Sequence, residues 1–131
     1  MYEHAEIHLP GEAVALLFGT TSGNSVHANR VELMKNMSNA SLTSFSVDPE
    51  AEYNLLIEAE QLGESLVGIF HSHPAPPRPS LTDLRNMHLN PVVWLVASKV
   101  TGRWVVKGYV LDDDEAVEIF VNVSELDGSI P

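Results

Sequence analysis

Residues 67–84 read VGIFHSHPAPPRPSLTDL, a stretch that joins a strand to a helix. The run LVGIFH, residues 66–71, is apolar up to its histidine, as expected of a strand buried on both faces. After the proline-rich segment PAPPRP, Ser80 is a typical N-cap for a helix that reads SLTDLRNMHL. The stretch therefore predicts a buried strand, a stiff turn and a helix, with two histidines where the strand ends.

The residues before this stretch predict two longer strands and one short one. The segment AVALLFG (13–19) is continuously apolar and stops at a glycine, which is typical of a buried strand. The segment SVHANRVELMK (25–35) alternates between apolar and polar residues, and FSV (45–47) follows a loop rich in Ser, Asn and Thr. These strands precede the motif strand and can pair with it in one sheet.

A helix is predicted between these strands and the motif. The segment DPEAEYNLLIEAEQLGE begins with Asp48 as N-cap and Pro49 at the first helical position, and Gly63 ends it. Its residues at helical spacing are Tyr53, Leu56, Ile57 and either Ala59 or Glu60.

Three more strands follow the second helix. They read VVWLVAS (92–98), RWVVKGYVL (103–111) and AVEIFVNV (116–123), with hairpin turns at KVTG and DDDE. Trp94 and Trp104 lie in these apolar strands and are expected in the core. The order of elements predicts an α/β (mixed α+β) fold, with a central mixed sheet flanked by helices. We expect one domain over residues 1–123 and a flexible tail over residues 124–131.

Composition excludes several classes of function. Seven Lys and Arg against eighteen Asp and Glu give a formal net charge of −11, so a nucleic-acid backbone is a poor partner. The absence of cysteine excludes disulfides, thiolate catalysis and Cys-type zinc sites. Neither a signal peptide nor an apolar run of membrane-spanning length is present, which predicts a cytoplasmic protein that does not enter the membrane.

Two histidines and an aspartate predict a metal site. Side chains alternate faces along a strand, so His71 and His73 point to one side and Ser72 to the other. A chain that folds back through the proline-rich turn can bring Asp83, in the first turn of the helix, to the same point. Two His and one carboxylate leave a fourth position for water, which is the ligand count of a catalytic zinc.

A structural interpretation explains some of the same residues. Ser80 and Asp83 have the spacing of an N-cap serine and an acid in the first helical turn, and this role needs no metal. The two interpretations do not exclude each other, because Ser80 can cap the helix and still face the site. A rival metal site would use His4, His8 and Glu12 at intervals of four, but Pro10 and Gly11 interrupt a helix there.

The segment GIFHSHPAPPRPSLTD resembles the signature of the JAMM (MPN-plus, Mov34-type) zinc metalloproteases, which read His-x-His-Pro, a short loop and Ser-x-x-Asp. The segments PGEAVALLFG, DPEAEYNLLIEAEQLGESLVGIFHSHP and NPVVWLVAS are similar to the flanking parts of that family. The resemblance covers about residues 5–123. Six residues separate His73 from Ser80, one fewer than in the family pattern, so we expect a tighter turn here.

The resemblance implies the cytidine-deaminase-like MPN fold and one zinc ion per chain. It assigns His71, His73 and Asp83 as zinc ligands with water as the fourth ligand. It also assigns Glu12 as the general base and Ser80 as the hydroxyl that stabilises the tetrahedral oxyanion. Ser72 receives no role.

The resemblance also implies the reaction, which is hydrolysis of the amide bond after the C-terminal glycine of a ubiquitin-like or sulfur-carrier protein. The substrate would present an extended Gly-Gly tail. An alternative of another class is a non-catalytic MPN-type scaffold that only binds protein partners. A third, the DNA-repair-associated branch of the family, is disfavoured by the scarcity of basic residues. The oligomeric state is not predicted.

Overall fold

The structure, a computed structural model, describes residues 5, 13–36, 48–72, 79–100 and 102–122. Its elements in chain order are β1 Val14–Ser22, β2 Ser25–Met34, α1 Pro49–Gln61, β3 Ser65–Ser72, α2 Leu81–Leu89, β4 Val93–Val100, β5 Arg103–Asp112 and β6 Glu115–Ile119. The strands form one six-stranded sheet in the order β2-β1-β3-β4-β5-β6. The predicted mixed α/β fold is confirmed.

The motif strand β3 lies in the interior of this sheet. It pairs antiparallel with β1, where Val14 faces His71, and parallel with β4, where His71 faces Val96. Helix α2 provides the crossover that a parallel pair requires. The sheet then continues through the antiparallel meander of β4, β5 and β6 that the turn signals predict. His71 therefore has a paired strand on each side within the sheet.

Each face of the sheet buries its own apolar cluster. One cluster contains Val14, Leu16 and Phe18 of β1 with Ala59 of α1, Met87 of α2 and Trp94 of β4. The other contains Ala15, Leu17, Phe70 and Leu95, and Trp104 packs against it. Neighbouring residues of β1 thus enter opposite clusters, which is why this strand reads as a continuous apolar run.

Helix α1 begins and ends where the sequence predicts. Pro49 is in the first turn, and Asp48 is the N-cap residue, although its side chain makes no capping hydrogen bond. Gly63 has φ of 77° and donates to the Glu60 carbonyl, while Glu64 donates to the Ala59 carbonyl. This is the Schellman arrangement, and its left-handed residue favours glycine.

Helix α1 does not pack through most of the apolar residues whose spacing predicted it. Tyr53, Leu56 and Ile57 are exposed, and of the four predicted residues only Ala59 is buried. The helix packs instead through Ala51, Leu55 and Ala59. Each of these residues follows the previous one by four positions, so together they form a second stripe at helical spacing. Two alanines in this stripe let the helix axis approach the sheet closely.

Arg30 of β2 connects the outer strand to the end of α1. Its Nη1 lies 2.7 Å from Glu32 Oε2 and 3.4 Å from Glu58 Oε1, and its Nε lies 3.5 Å from Glu64 Oε1. The guanidinium carbon lies 4.9 Å from the centroid of the Phe18 ring. Partial burial lowers the pKa of Arg30, but the hydrogen bond and charge of Glu32 and the charges of Glu58 and Glu64 outweigh it, so the pKa lies above its usual value.

The acidic hairpin tip is confirmed as a turn. Asp113 and Asp114 both have positive φ, 51° and 66°, as a two-residue hairpin turn requires. In the part of the chain described, no helix has the length and apolar character needed to cross a membrane. Several predictions fall outside the described residues: the strand at 45–47, the tail at 124–131, and the residues His4, His8, Glu12 and His73.

Candidate metal centre

His71 occupies the end of β3, where the strand leaves the sheet. Its side chain is fully buried, and its ring meets the Trp94 ring edge-on with centroids 5.9 Å apart. Its Nδ1 lies 3.3 Å from the carbonyl oxygen of Ser72. When Nδ1 carries the ring proton, it donates to this carbonyl and leaves the lone pair on Nε2, which is the form that binds a metal.

Trp94 is held in place by the chain that enters β4. Its Nε1–H donates to the carbonyl oxygen of Asn90 at 3.0 Å, and the amide N–H of Asn90 donates to the carbonyl of Asn86 in α2. The indole is 1% exposed, so this hydrogen bond satisfies a buried donor. Trp94 is in the core as predicted, but its role as a wall of the imidazole site was not recognised in the sequence.

Helix α2 begins with a complete capping box. The Ser80 hydroxyl accepts a hydrogen bond from the Asp83 backbone N–H at 3.1 Å, and Oδ2 of Asp83 accepts one from the Ser80 N–H at 2.8 Å. These two bonds satisfy donors that the first turn of a helix otherwise leaves open. The structural interpretation, in which Ser80 and Asp83 cap the helix, is thus confirmed.

The same aspartate also faces the histidine. Oδ1 of Asp83 lies 3.4 Å from Nε2 of His71, and both side chains are buried. Zinc bonds of about 2.0–2.2 Å to nitrogen and oxygen at a tetrahedral angle place two ligand atoms about 3.4 Å apart. One carboxylate oxygen therefore serves the helix cap, while the other stands at a ligand's distance from the imidazole. The chemistry and spacing of these two donors fit zinc.

Within the described ranges, no group of three or more His, Cys, Asp or Glu side chains could hold a metal ion. Two of the predicted ligands, His71 and Asp83, meet there, and Ser80 lies beside them. The third predicted ligand, His73, and the predicted base, Glu12, lie outside the described residues. Their roles stay predictions.

Ser72 is an additional residue of this region that had no predicted role. It is 2% exposed. Its hydroxyl oxygen accepts the N–H of Ala13 at 2.7 Å, and its own N–H donates to the Ala13 carbonyl at 2.9 Å. Ala13, the residue before β1, is thus in direct contact with the end of β3, the strand that carries His71. The signal in the sequence was a polar residue inside an otherwise buried segment.

His27 and His88 are the two other histidines in the described ranges, and both lie in exposed positions. The imidazole of His88 lies 3.7 Å from Asp114 of the hairpin tip. Both of these side chains are well exposed, so this pair makes only a small contribution to stability.

Comparison with known proteins gives a family and relatives. The family model for prokaryotic homologues of the JAB domain matches residues 1–107. A desampylase of Pyrococcus furiosus is 39% identical over 89 residues, which are 67% of this chain and 60% of that protein. A probable TtuB-protein conjugate cleaving protease of Thermus thermophilus is 30% identical over 122 residues, covering 92% of this chain and 78% of the relative.

Solved structures agree with this assignment. A protein from Desulfitobacterium hafniense has 32% identity and a TM-score of 0.75, with 89% of this chain and 81% of that chain covered. A JAB1/MPN domain protein from Archaeoglobus fulgidus, at 21% identity, shares the fold with a TM-score of 0.55 and coverage of 91% and 85%. The chain belongs to the JAB/MPN family, as one of the prokaryotic homologues of the JAB domain.

Proposed function

We propose that this protein is a zinc-dependent isopeptidase. It hydrolyses the amide bond that follows the C-terminal glycine of a ubiquitin-like or sulfur-carrier protein. The observation that carries the proposal is the approach of His71 Nε2 to Asp83 Oδ1, 3.4 Å apart at the start of a capped helix. The names of two relatives, a desampylase and a TtuB-protein conjugate cleaving protease, support a protein conjugate as the substrate.

The zinc would be held by His71, His73 and Asp83, with water at the fourth position. Such an ion polarises a carbonyl group and lowers the pKa of water near it. Two features of the described residues support this ligand set. The two carboxylate oxygens of Asp83 face different partners, since Oδ2 accepts the Ser80 N–H while Oδ1 lies 3.4 Å from His71 Nε2. The imidazole is oriented by the Trp94 ring and the Ser72 carbonyl.

Proton transfer would fall to Glu12. A carboxylate beside the scissile bond can accept a proton from the attacking water and return it to the leaving lysine amine. Ser80 would stabilise the charge that develops on the carbonyl oxygen. Its hydroxyl oxygen already accepts the Asp83 N–H, and a hydroxyl that accepts one bond keeps its own proton to donate.

The substrate tail would be an extended peptide that ends in Gly-Gly. Glycines lack side chains, so they can pass through a narrow approach to a buried centre such as the one at His71. The net charge of −11 disfavours a nucleic-acid substrate. We also propose that the protein acts in the cytoplasm, where conjugates of ubiquitin-like proteins to lysine are its substrates.

The test uses the purified full chain with a ubiquitin-like protein linked to a lysine peptide through an isopeptide bond. Mass spectrometry should show release of the modifier with an intact C-terminal glycine. Glu12→Gln should bind zinc in the same amount and lose turnover, since the amide cannot accept the proton. Absence of both zinc and cleavage in the wild type would instead favour a non-catalytic scaffold.

A further inference from the structure

We propose that Ser72 is a positioning residue, whose buried hydroxyl sets the general base against the metal ligands. This inference rests on the proposed function. Ser72 lies between the two histidines of the motif, and its side chain points away from His71 toward Ala13. The sequence pattern of the motif gives Ser72 no ligand role, but the contacts of its hydroxyl do suggest a function.

The hydrogen bonds at Ala13 and Ser72 differ from those of a regular antiparallel pair. In a regular hydrogen-bonded pair, the two residues exchange both backbone N–H···O bonds. Here the Ser72 N–H donates to the Ala13 carbonyl at 2.9 Å, but the Ala13 N–H donates to the Ser72 hydroxyl oxygen at 2.7 Å. A side-chain oxygen therefore takes the place of a backbone carbonyl at the end of this pair.

This exchange has a consequence on the side of His71. The Ser72 carbonyl lies 3.3 Å from Nδ1 of the preceding histidine. Because the hydroxyl accepts the bond from Ala13, the imidazole does not share the Ser72 carbonyl with the Ala13 N–H. The side chain of Ser72 thus accepts the N–H of Ala13, and its backbone carbonyl orients His71, a predicted zinc ligand.

The exchange also has a consequence for Glu12. The nitrogen of Ala13 belongs to the peptide bond that joins it to Glu12, and a peptide group is planar. A hydrogen bond that fixes this N–H fixes the plane of that peptide group, and in our proposal this would limit where Glu12, the predicted base, can lie relative to the strand of His71. Ala13 is fully buried, so water does not replace the acceptor if the hydroxyl is removed.

Strand β1 has many contacts in the sheet besides this hydrogen bond. Strand β1 also pairs with β3 from Val14 to Gly19, and its side chains enter both apolar clusters. Loss of the hydroxyl should therefore leave the strands paired and change the geometry at the end of the pair. A displacement of about 1 Å in a catalytic group can reduce turnover by as much as about a hundredfold.

The experiment compares Ser72→Ala and Ser72→Thr with the wild type in zinc content, kcat and KM. Val67→Ala is the matched control, because it removes buried volume from the same strand at a distance from the site. We expect Ser72→Ala to keep zinc and KM while kcat falls at least about tenfold. Ser72→Thr, which retains the hydroxyl, should recover most of kcat, and Val67→Ala should lower the melting temperature without this fall.

A second readout does not need activity. Hydrogen exchange of the Ala13 amide, measured by NMR on the zinc-free protein, should be faster in Ser72→Ala than in the wild type and restored in Ser72→Thr. Unchanged protection of this amide, or a Ser72→Ala kcat within twofold of the wild type, would overturn the proposal. An inactive wild type would overturn the proposed function. An active wild type with one of the results above would overturn only the role of Ser72, so the two failures are distinguishable.

Discussion

The imidazole Nε2 of His71 and the carboxylate Oδ1 of Asp83 lie 3.4 Å apart in a buried region. The histidine comes from the end of β3 and the aspartate from the first turn of α2. The second oxygen of the same carboxylate accepts the N–H of Ser80 at 2.8 Å. A single side chain thus joins the start of a helix to a predicted metal position, and substitutions can separate these two roles.

Asp83→Asn should separate them directly. An asparagine keeps an oxygen that can accept the Ser80 N–H, but its neutral amide is a poor zinc ligand. We expect a folded protein whose zinc affinity falls by at least about tenfold, because changes even outside the ligand shell reach that size. Elemental analysis and thermal melting measure the two effects. Asp114→Asn, at the exposed hairpin tip, is the control, and an Asp83→Asn protein with full zinc would refute the ligand assignment.

Two substitutions at Ser80 should distinguish capping from chemistry. Ser80→Ala removes the acceptor for the Asp83 N–H and should cost about 1 kcal/mol in the free energy of unfolding. Ser80→Asp should restore that stability, since aspartate is as good an N-cap as serine, and when ionised it has no proton to donate. If the hydroxyl also stabilises the oxyanion, kcat should stay reduced by about a hundredfold in both variants. Urea unfolding and steady-state kinetics test this, and recovery of kcat in Ser80→Asp would limit the residue to capping.

Arg30→Met should destabilise the contact between β2 and α1 without affecting the metal. The change removes the cation shared by Glu32, Glu58 and Glu64 and leaves three carboxylates close together. We expect a lower melting temperature with unchanged zinc content. Lys107→Met is the control, because its ion pair with Glu118 is 4.0 Å long and exposed. Equal melting temperatures for the two variants would show that the Arg30 ion pairs stabilise the fold no more than the exposed Lys107–Glu118 pair.

Gly19→Ala should prevent normal pairing of β1 and β2. An added Cβ would meet the carbonyl oxygen of His27 and lie 3.0 Å from Cα of Ala28, and backbone atoms cannot yield as a flexible side chain can. Gly19 stands where the register between these strands shifts. Gly102→Ala is a control with open space and φ of 78°, where only about 1–2 kcal/mol of backbone strain is expected. A Gly19→Ala protein as stable as Gly102→Ala would contradict this account.

The elements of the fold could be predicted where the signal is local. Strands β1 and β3 are continuous apolar runs because both of their faces are buried. Helix α1 begins at Pro49 and ends before Gly63, since backbone geometry at these positions depends on the residue itself. Ser80 and Asp83 are three residues apart, so their capping box is also a local property. In the same way, the motif spacing pointed to His71 and Asp83 as partners.

Local signals in the sequence predicted the order and type of the described elements and pointed to His71 and Asp83, which the fold brings together. Which stripe of α1 is buried was decided by the tertiary structure, because Tyr53, Leu56 and Ile57 have a helical period as good as that of Ala51, Leu55 and Ala59. The contact of Trp94 with His71 joins β4 to β3, and that of Ser72 with Ala13 joins β3 to the residue before β1. Such contacts depend on how strands lie side by side, and the periodicity of a single segment does not contain that information.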